Sequence, residues 1–125
     1  MALTTLIVDD HRLFRATARM LLEAEGFLVV GEAEDGAAAL AEAGRLRPDL
    51  VVLDVQLPDS TGFDVSNRLL AAGLAGRVVL VSSRSAGEYG DLVAASGAVG
   101  FIAKDELSGP RLTRVLERGD RHGTD

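Results

Sequence analysis

Leu50-Val51-Val52-Leu53-Asp54-Val55-Gln56-Leu57-Pro58 decides how the rest of the chain is read. Four apolar residues in a row, two of them β-branched, are too few for a buried helix and suit a strand covered on both faces. An acid follows at once. In open parallel sheets the binding crevice lies beyond the carboxyl ends of the strands, so Asp54 is placed where chemistry is expected.

Outward from that stretch, four more runs of the same kind occur: Leu6-Ile7-Val8, Leu28-Val29-Val30, Val78-Val79-Leu80-Val81 and Val99-Gly100-Phe101-Ile102. Stretches of helical spacing separate them. Phe14, Ala18, Leu21 and Leu22 share one face of the first stretch, and Leu112, Val115 and Leu116 share one face of the last. Asp10, Asp35 and Ser60 or Thr61 are positioned to cap helix starts, Ser85 with Glu88 has the spacing of a capping box, and Pro110 suits a first turn. Gly26 and Gly73 are natural stops. Gly87, Gly90 and Gly97 weaken the fourth helix more than any other. Five βα units in series predict an α/β fold, a doubly wound five-stranded parallel sheet.

Composition agrees with one small soluble domain. The 125 residues are 47% hydrophobic and 26% charged, with aromatics at only 4%, so the core is expected from Leu, Val, Ile and Ala. With no cysteine there is neither a disulfide framework nor a thiolate metal site. A net charge of −6 argues against direct DNA binding, which needs Lys and Arg to neutralise phosphates. No stretch is apolar for long enough to span a membrane, and no signal peptide opens the chain; a cytoplasmic location is expected. Residues 1–119 are read as the domain and 120–125 as a polar, disordered tail, with no room for a further domain.

Polar residues gather where strands finish. Asp9 and Asp10 follow the first apolar run, Asp54 the third and Ser82 the fourth, and Lys104 comes just after the fifth. Three neighbouring carboxylates repel one another unless one keeps its proton or a cation joins them. A magnesium ion (Mg2+) takes oxygen ligands and bridges carboxylates to phosphate. Lys104 adds a cation and Ser82 a hydroxyl, so the set suits an anion rich in oxygen. Asp54 then has the makings of a carboxylate nucleophile toward phosphorus. Singly, each residue has a plainer reading: adjacent acids begin a solvated helix, Lys104 is a surface charge, and Ser82 caps a strand end. His11 reads as a helix-start residue and His122 as solvated. Arg111, Arg114, Arg118 and Arg121 read as a solvated face.

Val8-Asp9-Asp10-His11, Asp54-Val-Gln-Leu-Pro58 with Gly62, Val81-Ser82-Ser83 and Gly100-Phe101-Ile102-Ala103-Lys104 together resemble the response-regulator receiver family over essentially the whole chain. The opening motif is most similar to the nitrate-regulator class, whose members usually carry a helix-turn-helix output domain. The resemblance implies a flavodoxin-like strand order, 2-1-3-4-5. It implies Asp54 as the phosphoacceptor and a magnesium site of Asp10, Asp9 acting through water, Asp54 and the Gln56 backbone carbonyl. Ser82 and Lys104 are implied to hold phosphoryl oxygens. Phe101 stands where the family keeps a switching aromatic, and being Phe it has no hydroxyl to bond outward. Gln56 and Arg84 fall where the family tunes phosphoryl lifetime.

The implied partners are a sensor histidine kinase as phosphodonor and an unidentified downstream protein met through the fourth helix, fifth strand and fifth helix, with homodimerisation a further option. The protein is then a switch that catalyses only its own phosphorylation and slow dephosphorylation. Two rivals remain: a scaffold receiver that is never phosphorylated, and a haloacid-dehalogenase-like phosphatase. The second wants an acid two residues after its nucleophile, where this chain has Gln56.

Overall fold

The computed structural model describes residues 2–123 in their backbone, and side chains through residue 119. Each short apolar run becomes a strand: β1 (Thr4–Val8), β2 (Leu28–Ala33), β3 (Leu50–Asp54), β4 (Arg77–Ser82) and β5 (Gly100–Ala103). All neighbours pair in parallel, in the order β2-β1-β3-β4-β5, as the resemblance implied. Helices α1 (Arg12–Ala24), α2 (Gly36–Leu46), α3 (Gly62–Ala71), α4 (Leu92–Ala95) and α5 (Gly109–Gly123) supply the crossovers. The last helix therefore runs past the boundary expected at residue 119, through 120–123, and only residues 124 and 125 of the expected tail lie outside the described residues.

Alternation along the strands divides the core in two. Leu6, Val8, Val51, Leu53, Val78 and Leu80 face α2 and α3, while Ile7, Leu50, Val52, Val79, Val81 and Ile102 face α1 and α5. Central β3 is buried along its whole length, which explains why its sequence shows no polar alternation. On α1 the buried face is Ala18 and Leu22 with Phe14 partly covered. Leu21, expected beside them, is instead 36% exposed, because it lies a step around the helix from that seam.

Most helix punctuation is as expected. Asp35 accepts from the Ala38 N–H at 2.7 Å and Thr61 from the Asp64 N–H at 3.2 Å, and Ser85 with Glu88 forms a capping box. Gly26 and Gly73 sit just past helix ends with φ of 101° and 67°, a region glycine enters without strain. Asp10 does not cap α1. His11 holds that position, and the Asp9 carboxylate accepts its backbone N–H at 2.8 Å. Pro110 is the second residue of α5, and Ser108 caps that helix by accepting from the Arg111 N–H at 3.1 Å.

The fourth crossover is the weak one, as its glycines foretold. After β4 it contains a single 3-10 turn (Ala86–Glu88) and the four residues of α4. Its far end is nevertheless pinned. Ser66 and Ser96 are both fully buried, and the Ser66 hydroxyl donates to the Ser96 carbonyl at 2.8 Å, joining α3 to the end of α4.

Candidate functional site

The parallel register brings the ends of β1, β3, β4 and β5 to one edge, and the strand-end polar residues meet there. Asp9 is fully buried, Asp54 is 3% exposed and Ser82 1%, whereas Asp10 stands at the mouth with an exposed side chain. Lys104, at the start of a 3-10 turn after β5, reaches back between the two buried acids. Its Nζ is 2.6 Å from Asp9 Oδ2 and 3.3 Å from Asp54 Oδ2, and it lies over the Phe14 ring at 4.6 Å from the centroid. Burial alone would lower the Lys104 pKa, but the close Asp9 carboxylate and the Asp54 charge outweigh it and raise it.

Asp54 is pushed up to about 6, first by burial and then by the Asp9 charge; Lys104 and the Gln56 N–H pull the other way. One ammonium thus faces two buried carboxylates and does not neutralise both. Asp9 Oδ2, though close to that ammonium, has no hydrogen bond of good angle. Ligand atoms of Asp9, Asp10, His11 and Asp54 lie within 4.8 Å of one another. The excess negative charge and the hard oxygen donors fit a divalent cation. His11 is the helix-start residue expected, yet its Nδ1 lies 3.1 Å from oxygens of both Asp9 and Asp10, so it borders the cluster.

The backbone around the acids is held from behind. Arg15 Nη1 donates to the Asp9 carbonyl at 2.6 Å, while Arg15 and Arg19 each pair with Glu32 at 3.0 and 2.9 Å. Burial raises the Glu32 pKa, but the two guanidiniums hold it below its usual value. On the other side Gly62, the first residue of α3, donates to the Val55 carbonyl at 2.7 Å. A Cβ at Gly62 would strike the Asp54 carbonyl oxygen and come within 2.9 Å of Val55 Cα, so only glycine permits α3 to press this close.

Gln56 and Arg84, two residues beyond Asp54 and Ser82, both have exposed side chains. Gln56 donates its N–H to Asp54 Oδ1 at 3.2 Å and bridges Thr61 across the loop. Phe101 is only partly buried and leans on Tyr89, with ring centroids 5.9 Å apart. Tyr89 is the residue that sequence reasoning missed: its hydroxyl lies 2.6 Å from Ser82 Oγ. The available signal was that the chain's single tyrosine falls seven residues after Ser82, in its glycine-rich segment. Exposed Arg111, Arg114 and Arg118 agree with a solvated face; the side chains of Arg121 and His122 lie outside those described.

The same fold is found in known proteins. The signal receiver domain of NarL from Mycobacterium tuberculosis superposes with a TM-score of 0.83 and 30% identity, covering 95% of this chain and 97% of that one. A chemotaxis response regulator of Vibrio cholerae gives a TM-score of 0.80 at 26% identity, with 95% and 99% covered. In sequence, the chain is 40% identical over 101 residues to BvgA of Bordetella pertussis, named for virulence-factor transcription, covering 81% of this chain and 48% of that protein. It is 33% identical over 104 residues to the DNA-binding transcriptional activator EvgA of Escherichia coli, covering 83% and 51%. The chain thus spans about half the length of these curated relatives. The profile of the response regulator receiver domain matches residues 5–117, and the chain belongs to that family of two-component signalling switches.

Proposed function

We propose that Asp54 accepts a phosphoryl group from the phosphohistidine of a sensor kinase or from a small acyl phosphate. The observation that carries this is the nearly buried Asp54 carboxylate held beside Lys104 and Asp9 at the end of β3. An Asp54 oxygen forms the new bond to phosphorus as the donor's bond breaks, and the leaving group departs with its electron pair. Lys104 compensates charge on the phosphoryl oxygens, and Ser82 supplies a hydroxyl donor from β4. Asp9, Asp10, Asp54 and the Gln56 carbonyl are the groups to hold a magnesium ion. When bound, that ion neutralises charge shared between the carboxylates and the phosphoryl oxygens.

A neutral carboxyl attacks poorly, so the raised Asp54 pKa means that the site works best once a second cation has offset Asp9. The chemistry is confined to the protein's own Asp54, and no separate metabolite is turned over. Output passes through α4, β5 and α5 to another protein or a second copy of the chain. None of this calls for DNA contact by these residues, and the net charge of −6 disfavours it. Among the described residues no helix is long and apolar enough to cross a membrane, and we place the switch in the cytoplasm with its kinase.

Intact-mass measurement with acetyl phosphate, with and without magnesium, tests the reading. Wild type should gain one phosphoryl mass only with magnesium, and Asp54→Asn should gain none. Equal gain by the variant moves the acceptor elsewhere, while a magnesium-replete wild type that never gains mass favours a scaffold receiver.

A further inference from the structure

Ser82 is already engaged. Among the described residues its hydroxyl is bonded to Tyr89, at 2.6 Å, and accepts from the Arg84 backbone N–H at 3.1 Å. Neither Asp54 nor Lys104 shares a hydrogen bond with it. The one hydroxyl that should reach a phosphoryl group on Asp54 is therefore occupied.

Tyr89 is held firmly enough to occupy it. Its ring meets Phe63 edge-on, with centroids 5.2 Å apart and planes at 72°, and tilts against Phe101 at 5.9 Å. Rings from α3, from the segment after β4 and from β5 thus converge beside Ser82. Aromatic pairs at such separations prefer these inclined geometries. The backbone that carries Tyr89 is less secure: an exposed 3-10 turn precedes it, and Gly90 follows with φ of 57°.

We propose that Tyr89 is a latch on Ser82, closed in the resting protein and opened by phosphorylation of Asp54. The inference rests on the reading of Asp54 as phosphoacceptor. A charged phosphoryl oxygen is a stronger acceptor than a neutral phenol, so Ser82 changes partner when the group arrives. No covalent bond changes at Tyr89. Its hydroxyl is left without its partner beside two aromatic rings, and an unpaired polar group in such a place is costly. The ring then swings to find water, and the turn at Ala86–Glu88 moves with it. Phe101, lacking a hydroxyl, follows as a packing neighbour rather than leading the change.

Tyr89 is here a positioning residue, and it carries its own reporter. The chain has one tyrosine and no tryptophan, so tyrosine emission comes from Tyr89 alone. Emission and intact mass should be followed together after acetyl phosphate and magnesium are added to wild type. Emission is expected to change in step with the mass gain and to return as the phosphoryl group is lost. Ser82→Ala should show the altered emission before any donor is added, with no further change afterwards. Tyr89→Phe should gain the phosphoryl group about two- to tenfold faster, as expected for release of one neutral hydrogen bond.

Mass gain with constant emission overturns the latch. So does a Tyr89→Phe rate that is unchanged or slower, for a slower rate means that Tyr89 donates to Ser82 and assists it. If Tyr89→Phe fails to fold, the wild-type emission decides alone. A wild type that gains no mass overturns the assignment of Asp54, and the latch with it.

Discussion

Lys104 sits nearer to Asp9 than to Asp54, 2.6 Å against 3.3 Å, so its ammonium serves first as counter-ion to the fully buried acid. Removing one partner of a buried ion pair costs about 3–5 kcal/mol, because the other charge stays behind uncompensated. Lys104→Met should therefore melt well below wild type without divalent cation. Magnesium should restore more stability to the variant than it adds to wild type, since the ion then carries the whole compensation. Thermal denaturation of both proteins across a magnesium series measures this. Equal increments would mean that ammonium and metal do not share the Asp9 charge.

Asp54 makes the metal-free protein sensitive to acidity in an unusual direction. Its folded pKa is raised from 3.8 to about 6, by burial first and the Asp9 charge second. A raised folded value gives stability that is complete below the unfolded pKa and is lost as pH rises through the folded one. Between pH 4 and 6 the Asp54 contribution thus falls with rising pH, by at most about 3 kcal/mol. Asp54→Asn should remove that fall and leave the metal-free protein more stable than wild type at neutral pH. Denaturant titrations at several pH values, with chelator present, check it; parallel curves for the two proteins would refute it.

Gly62 is a steric limit on the nucleophile's strand. A methyl group there meets the Asp54 carbonyl and Val55 Cα, which are backbone atoms and cannot swing aside. Overpacking of this kind costs about 1–3 kcal/mol. Gly62→Ala should lose that much stability and slow phosphorylation, while Gly44→Ala, which meets nothing within 4 Å, should do neither. A Gly62→Ala protein as stable as wild type would show that α3 can back away freely.

We propose that Arg84 bears on the phosphoryl lifetime. Its side chain is exposed while its backbone N–H is spent on Ser82. An exposed guanidinium near a charged oxygen contributes roughly 0–1 kcal/mol, which corresponds to about a fivefold effect or less. Arg84→Ala should shorten the phosphorylated lifetime by that modest factor and leave magnesium affinity alone. The decay of phosphoprotein after donor removal gives the answer, and an unchanged or slower decay means that Arg84 does not screen the bond.

The strand order came from the family resemblance, whereas the five buried strands, the strand-end acids and the weak fourth crossover were legible in the sequence for a physical reason. Each depends on local pattern: buried runs flanked by glycine and caps, and an acid in the position after a strand. What stayed hidden was set by rotation of side chains after folding. Leu21 is apolar and correctly spaced to within one residue, yet it falls outside the α1 seam. Asp10 has a good capping side chain, but buried Asp9 already takes the His11 N–H. Tyr89 could be seen only once the turn after β4 had folded back over Ser82. Phe101 was singled out by resemblance, and its neighbour Tyr89 holds the hydroxyl that Phe101 lacks.

The buried bond from Ser66 to the Ser96 carbonyl fixes one end of α4 to α3, and the opposite end of that crossover begins at the exposed turn of Ala86–Glu88. A segment clamped at one end behaves as a lever, with its fulcrum at Ser96. Small rotations there become larger sweeps toward Gly87, so a signal passed through this face, as proposed, is graded along the segment. A protein that grips near Ala95 would feel almost nothing, and one that touches the turn would feel the full stroke.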